Sequence, residues 1–246
     1  MQFTQPLIPG TLLRRYKRFL ADIRLYGGET VTAHCANPGS MLGLSDPGLR
    51  VWVEPSTDPK RKLKFSWRLV ELPGGHMAGI DTSVPNRVVG EALAGARIPE
   101  LAAYREIRAE VRYGTRSRVD FVATGPDLPD AYVEVKNVHL CRSGTLAEFP
   151  DSVTARGARH LDELAAMAGQ GARAVMLYCI QRTDCTTLAL AGDIDAKYQE
   201  AFARARSAGV EALAWACGID TREIALDRPI PISEDRGSEE TAWTGR

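Results

Sequence analysis

The chain has 246 residues, 44% hydrophobic and 25% charged, with 31 Lys and Arg balanced by 31 Asp and Glu. That composition is ordinary for a folded protein, and the length suits one large or two small domains, each able to bury a core. No stretch approaches the ~18–20 uncharged apolar residues of a membrane span, so a membrane is not an expected partner.

The first six residues, Met1-Gln2-Phe3-Thr4-Gln5-Pro6, lack the basic and then apolar pattern of a secretory signal. Five cysteines (Cys35, Cys141, Cys179, Cys185, Cys217) stand without a CxxC spacing. They are expected as reduced thiols of a cytoplasmic protein rather than as disulfides or a structural zinc site. Charge is uneven: residues 1–85 hold 11 Lys and Arg against 7 Asp and Glu, a net of +4, and the remainder carries −4. Such asymmetry is a weak hint of a polyanion-binding module.

Turn signals at Gly27-Gly28, Asn37-Pro38-Gly39, Asp46-Pro47-Gly48 and Pro73-Gly74-Gly75 divide the first part of the chain. Between them, strands are expected at 19–25, 29–34, 50–54, 64–72 and 76–81. Short strands at this spacing predict a small barrel or sandwich, of which the OB barrel is one oligonucleotide-binding type. The composition shifts near Pro85. A helix is expected over 86–96, with Val88, Val89, Ala92, Leu93 and Ala96 at helical spacing. Strands follow at 107–113, 118–123 and 131–138, then a helix at 154–167, a strand at 173–180, a helix at 195–208 and a strand at 210–216. This order predicts a mixed α/β domain. The expected division is 1–84, 85–232 and a polar, disordered tail at 233–246.

The most informative segment is Arg118-Val119-Asp120-Phe121-Val122 with Tyr132-Val133-Glu134-Val135-Lys136-Asn137. Side chains alternate along a strand, so Glu134 and Lys136 share one face, as do Arg118 and Asp120. A hairpin through Gly125-Pro126 and Pro129 can set Asp120 beside Glu134. Two carboxylates and an ammonium at strand ends suit phosphodiester hydrolysis. Carboxylate oxygens can hold Mg²⁺ or Mn²⁺, and the lysine can orient or activate water. Solvated ion pairs explain most isolated occurrences of such a trio. The surrounding element order, however, matches the PD-(D/E)XK nuclease fold.

Longer motifs carry a family resemblance from Leu12 to about Ile232. They include residues 15–22 (RYKRFLAD), 32–41 (TAHCANPGSM), 60–62 (KRK), 110–114 (EVRYG), 117–121 (SRVDF), 133–137 (VEVKN) and 149–161 (FPDSVTARGARHL). On these the chain resembles the sugar fermentation stimulation protein A (SfsA) family. The resemblance implies an N-terminal OB-like β-barrel followed by a PD-(D/E)XK nuclease-like α/β domain. It also implies non-specific DNA binding and a regulatory role in sugar (maltose) metabolism. Carried onto this sequence, the nuclease motif falls on Asp120, Glu134 and Lys136, with Glu91 of the preceding helix favoured over Glu110 as a further metal ligand.

The basic segments Arg14, Arg15, Lys17, Arg18 and Lys60, Arg61, Lys62, Lys64 are candidate phosphate contacts, with Tyr16, Phe65 and Trp67 available to stack on bases. No recognition-helix signature accompanies them, so backbone contacts to DNA, or to RNA, are expected. Arg156 and His160, four apart on one helix face, are candidates for contacting phosphate near the site. Adjacent His34 and Cys35 point to opposite strand faces and do not make a dyad. Asn37-Pro38-Gly39-Ser40 reads first as a turn, and its match to a family motif suggests a further role that the sequence does not assign, while His139 and His76 carry no functional signal. Three readings remain: a metal-dependent nuclease, a catalytically silent DNA-binding regulatory factor, and a nucleotide-binding regulator.

Overall fold

The computed structural model describes residues 1–113 and 117–233. The expected tail at 233–246 thus lies, beyond Ser233, outside the described residues.

The N-terminal part is a closed barrel of β1 (Ile8–Tyr16), β2 (Leu20–Leu25), β3 (Thr30–Cys35), β4 (Arg50–Pro55) and β5 (Phe65–Glu71). β1 pairs antiparallel with β2 and β4, β2 with β3, and β4 with β5, while β3 closes the ring on β5 in parallel. Period-two apolar positions explain the closure: Leu12, Ala21, Ile23, Ala33, Val51, Val53 and Trp67 all turn inward and are fully buried. Gly10 lets β1 approach β2, because a Cβ there would stand 2.7 Å from the Arg24 carbonyl oxygen. β6 (Met77–Gly79) adds to the outside of β5.

This corrects the strand list read from the pattern, which begins at residue 19 and so misses β1, while the strand expected at 76–81 is the short β6 outside the ring. The true first strand contains Pro9 and Gly10 and ends in a run of cations, and a register shift between Leu12 and Arg14 breaks its alternation. A bulge of this kind hides a strand from a period-two search.

The second part is a mixed α/β domain. Its elements are α1 (Val84–Ala94), β7 (Glu106–Tyr113), β8 (Ser117–Thr124), β9 (Ala131–Val138), β10 (Leu146–Phe149), α2 (Ala155–Gly169), β11 (Arg173–Ile180), β12 (Thr187–Leu190), α3 (Ala196–Ser207), β13 (Glu211–Ile219), β14 (Ile224–Pro229) and β15 (Ile232–Ser233). The main sheet runs β14-β13-β11-β9-β8-β7, with β9, β11 and β13 parallel. A small parallel sheet, β10-β12-β15, stands beside it. Its short strands escape the sequence pattern.

Helices cover both faces of the main sheet. Val88, Val89, Ala92 and Leu93 of α1 pack on Val133, Val135, Val175, Leu177 and Trp215. Leu161 and Leu164 of α2, with Tyr198, Ala201 and Ala205 of α3, pack on Met176, Tyr178 and Ile180. Both later helices start at side-chain caps: Thr154 accepts the Gly157 N–H at 3.0 Å, and Asp195 accepts the Tyr198 N–H at 3.0 Å. An OB-like barrel followed by a mixed α/β domain is therefore the fold, as expected. No helix among the described residues is long and apolar enough to cross a membrane.

Candidate active site

The β8–β9 ladder pairs Ala123 with Ala131, Val122 with Tyr132 and Phe121 with Val133. The next pair in register is Asp120 and Glu134. There the ladder stops, and the Asp120 carboxylate takes the place of a backbone acceptor. Its Oδ2 accepts the Val135 N–H at 2.7 Å, and its Oδ1 accepts Asn86 Nδ2 of α1 at 2.7 Å. The two strands therefore part around a carboxylate pair.

Glu134 is 3% exposed. Its Oε1 accepts Lys136 Nζ at 2.7 Å and makes a very short contact with His160 Nδ1 from α2. Lys136 Nζ lies 3.2 Å from the same imidazole nitrogen. Arg156, one helical turn before His160, donates from Nε to His160 Nε2 at 3.3 Å. The second oxygen, Glu134 Oε2, is buried with no hydrogen-bond partner among the described residues.

The carboxylates respond in opposite directions. Burial, and then the Glu134 charge, pushes the Asp120 carboxyl above its usual range, against the Val135 and Asn86 bonds. Burial also acts to raise Glu134, but the His160 bond and the Lys136 charge outweigh it and hold its carboxyl below the usual range. Crowded like charges split in this way, one favouring ionisation and one resisting it. Tyr113 is buried beside them, its hydroxyl without a partner among the described residues. Burial first, then the Glu134 charge, raises its phenol well above the usual value.

The structure thus brings Asp120, Glu134, Lys136 and His160 together, but not Glu91. That side chain is 47% exposed and its Oε2 accepts the Met1 amino group at 2.6 Å, beside the carbonyl of Ile224. The α1 residue facing Asp120 is Asn86. It lies five positions earlier, and 3.6 residues per turn place it on a different side of the helix from Glu91. Among the described residues, no group of three or more His, Cys, Asp or Glu is placed to share a metal ion. His160 sits under Glu134 and Lys136, away from the surface where a phosphate contact was expected, while Arg156 remains exposed. Asn86 and Tyr113 carried no sequence signal, because neither spacing nor residue type marks them.

The basic residues of the barrel divide. Lys17 and Arg18 form the exposed β1–β2 turn, both with positive φ (49° and 63°). Lys60 and Lys62 are exposed on the β4–β5 loop. Arg14 is 68% exposed but paired to Asp22 at 2.8 Å and stacked on Tyr16. Arg15 is occupied: its guanidinium donates to the carbonyls of Asn37 at 2.8 Å and Gly39 at 2.9 Å. Arg61 donates to Ser66 at 2.8 Å, and Lys64 to the Pro59 carbonyl at 3.0 Å. Trp67 is fully buried, with its indole N–H bonded to the Leu69 carbonyl, so it has no free face for a base. Phe65 packs against the barrel core.

The Asn37-Pro38-Gly39-Ser40 segment is more than a turn, because it joins the two domains. Asn37 Oδ1 accepts the Gly39 N–H at 2.8 Å, and its Nδ2 reaches the Ile80 carbonyl at 2.9 Å and His139 Nδ1 at 3.4 Å. His139 Nδ1 also lies 3.0 Å from the Asn137 amide, and burial lowers the ring's pKa to about 4, so the neutral imidazole accepts at Nδ1.

Two family models match in order: the SfsA N-terminal OB domain over residues 13–80 and the sugar fermentation stimulation protein RE domain over residues 83–223. Among curated proteins, the sugar fermentation stimulation protein homolog of Dinoroseobacter shibae is 64% identical, covering 94% of this chain and 96% of that one. The homolog from Ruegeria pomeroyi is 63% identical over 92% and 98%. Among solved structures, Pyrococcus furiosus SfsA in complex with Ca²⁺ matches with a TM-score of 0.84 at 27% identity, covering 95% of this chain and 98% of that one. With both domains matched in order and relatives above 60% identity along nearly the whole length, the chain belongs to the sugar fermentation stimulation protein (SfsA) family.

Proposed function

We propose that this protein binds nucleic acid through the barrel without sequence preference and cleaves phosphodiester bonds at Asp120, Glu134 and Lys136 with a divalent metal. The observation that carries the reading is Glu134 Oε2, a buried carboxylate oxygen without a partner among the described residues, in a site where a second carboxylate is already held against its charge. Leaving such an acceptor unpaired is costly. A cation between Asp120 and Glu134 would satisfy it and relieve the repulsion, so these residues fit Mg²⁺ or Mn²⁺. The Ca²⁺ bound by the Pyrococcus furiosus relative supports a divalent ion here.

When bound, such a metal polarises a phosphoryl oxygen and lowers the pKa of a coordinated water. The chain's own groups do the rest. Asn86 and the Val135 N–H aim the Asp120 carboxylate. Lys136, held between Glu134 and His160, faces the same space and can orient the attacking water or neutralise charge on the phosphate. Arg156, exposed at the rim, is placed to hold a neighbouring phosphate. Lys17, Arg18, Lys60 and Lys62 supply the backbone contacts that a sequence-independent binder needs.

The rival reading, a catalytically silent DNA-binding factor serving sugar metabolism as the family name suggests, draws on a specific observation. Glu134 Oε1 is already bonded to Lys136 and His160, and Glu91, the third expected ligand, is engaged with Met1. Incubating the purified chain with single-stranded DNA, duplex DNA and RNA in Mn²⁺, Mg²⁺ or EDTA, beside Glu134→Ala, separates the two. Metal-dependent cleavage that the variant lacks supports the nuclease. Binding without cleavage by either protein leaves the silent factor.

A further inference from the structure

A cavity of about 310 Å³ lies where the two domains meet, one strand residue beyond the carboxylate site. Its barrel wall is the Asn37-Pro38-Gly39 turn, and its other wall is Asn137 at the end of β9 with Asp151 and Ser152 ahead of α2. Both parts of that wall adjoin the site along the chain. Asn137 follows Lys136, about 3.3 Å along the strand. Ser152 stands two residues before Thr154, the cap of the helix that carries Arg156 and His160. The barrel wall is held from behind, because Arg15 donates to the carbonyls of Asn37 and Gly39. Residues at the carboxyl ends of parallel strands are the usual place for a ligand in such sheets.

The lining chemistry selects the ligand. Among the described residues, no lysine or arginine lines the cavity. Glu148 also lines it, but its charge is matched by Arg142 at 2.5 and 2.7 Å. Asp151 therefore leaves the space negative, and His139, neutral in its buried setting, does not offset that charge. A phosphate is disfavoured there. The Asn37 and Asn137 amides are already bonded within the joint. The Asp151 carboxylate and the hydroxyl oxygens of Thr82 and Ser152, whose own protons go to the Ala36 carbonyl and to Asp151, are left as acceptors. They suit a neutral, planar group with N–H donors, and the volume is at the lower end of the ~300–1,000 Å³ typical of small-molecule pockets. Cations able to take phosphates are carried by both domains: Lys136 and Arg156 beside His160, and Lys17 and Arg18 on the exposed β1–β2 turn.

We infer that this interdomain cavity is a nucleobase pocket, which takes one unpaired base bearing an exocyclic amino group from the strand whose phosphates reach Lys136 and Arg156. The inference rests on the nucleic-acid reading above and deepens it: the preferred substrate is single-stranded, or has a base swung out of the duplex. A paired base has its edge turned inward and cannot enter a space of this size.

The test is binding by the full chain in EDTA, which reads the pocket whether or not the site cleaves. Fluorescence anisotropy compares a short single-stranded oligodeoxycytidylate with an abasic strand of equal length and charge. The wild-type chain is expected to bind the base-bearing strand at least about tenfold more tightly, as one well-held base can supply. Ser152→Trp and Thr82→Trp each fill the cavity from an exposed position on opposite walls, and unfolding temperature checks that each variant folds. Either variant should bring the affinity for the base-bearing strand down to that for the abasic one. Phe19→Ala, at an exposed barrel aromatic, should leave the preference in place. Equal binding of the two strands by the wild type overturns the proposal. So does a preference that survives both filling variants or disappears in Phe19→Ala, and so does a failure to bind either strand.

Discussion

Asp120 accepts the backbone N–H of Val135 at 2.7 Å, across the point where β8 and β9 stop pairing. A side-chain carboxylate here does the work of a strand carbonyl, and that substitution keeps the strands apart over Glu134. The same carboxylate is fixed on its other oxygen by Asn86. Fold and candidate chemistry thus share one residue.

Asn86 acts through Asp120, so its replacement should be read in two ways. Asn86→Ala is expected to cost about 1–2 kcal/mol in urea unfolding, the loss of a part-buried bond to a charged group. Metal-dependent cleavage should fall by about tenfold as Asp120 loses its aim. Asn86→Asp adds a third carboxylate instead. Its unfolding temperature should drop in EDTA and recover with Mn²⁺ by more than the wild type gains. Equal responses of the two proteins to Mn²⁺ would count against a metal at this position.

His160 and Lys136 share the single bonded oxygen of Glu134. His160→Ala leaves a buried carboxylate with one partner and should destabilise the chain by about 2–3 kcal/mol in urea unfolding. In a Glu134→Ala background the same change should cost much less, because the buried charge it compensates is gone. Additive losses would show that the imidazole contributes by packing alone.

His139 makes the joint between the domains sensitive to acid. Burial lowers its pKa from 6.5 to about 4, with the Arg182 charge acting the same way and Asp81 opposing. Between these values the unfolded chain binds a proton that the folded chain refuses, so this contribution is fully present above the unfolded pKa and diminishes as pH falls toward 4. The loss should reach up to about 3 kcal/mol. Urea unfolding across that window should show a slope that His139→Gln flattens.

The cations of β1 should separate by role. Arg15→Ala leaves the carbonyls of Asn37 and Gly39 without their donor and should lower stability by about 1–2 kcal/mol. Lys17→Ala and Arg18→Ala should leave stability nearly unchanged. Each should instead reduce the dependence of log affinity on log salt by about 0.7 for single-stranded DNA. Titration at several salt concentrations distinguishes the two classes.

The Asp120, Glu134 and Lys136 set was legible in the sequence because strand alternation is a local rule: residues two apart share a face whatever surrounds them. The buried runs of β9 and β11 and the helical spacing of α1 were legible for the same reason. Long motifs pointed to the family and so to both domains. Only the tertiary structure decided which residues of different elements meet. Asn86 rather than Glu91 faces Asp120, because the packing of α1 turns its Asn86 side toward β8 and leaves Glu91, on another side of the helix, to the Met1 amino group near Ile224. Arg15 belongs to the domain joint although it looks like its neighbours Lys17 and Arg18. The carbonyls it binds lie more than 20 residues away in sequence. His139, silent as a sequence feature, becomes the neutral centre of that joint. A histidine's protonation depends on burial and on the donors around it, and those are set by packing between domains rather than by its neighbours in the chain.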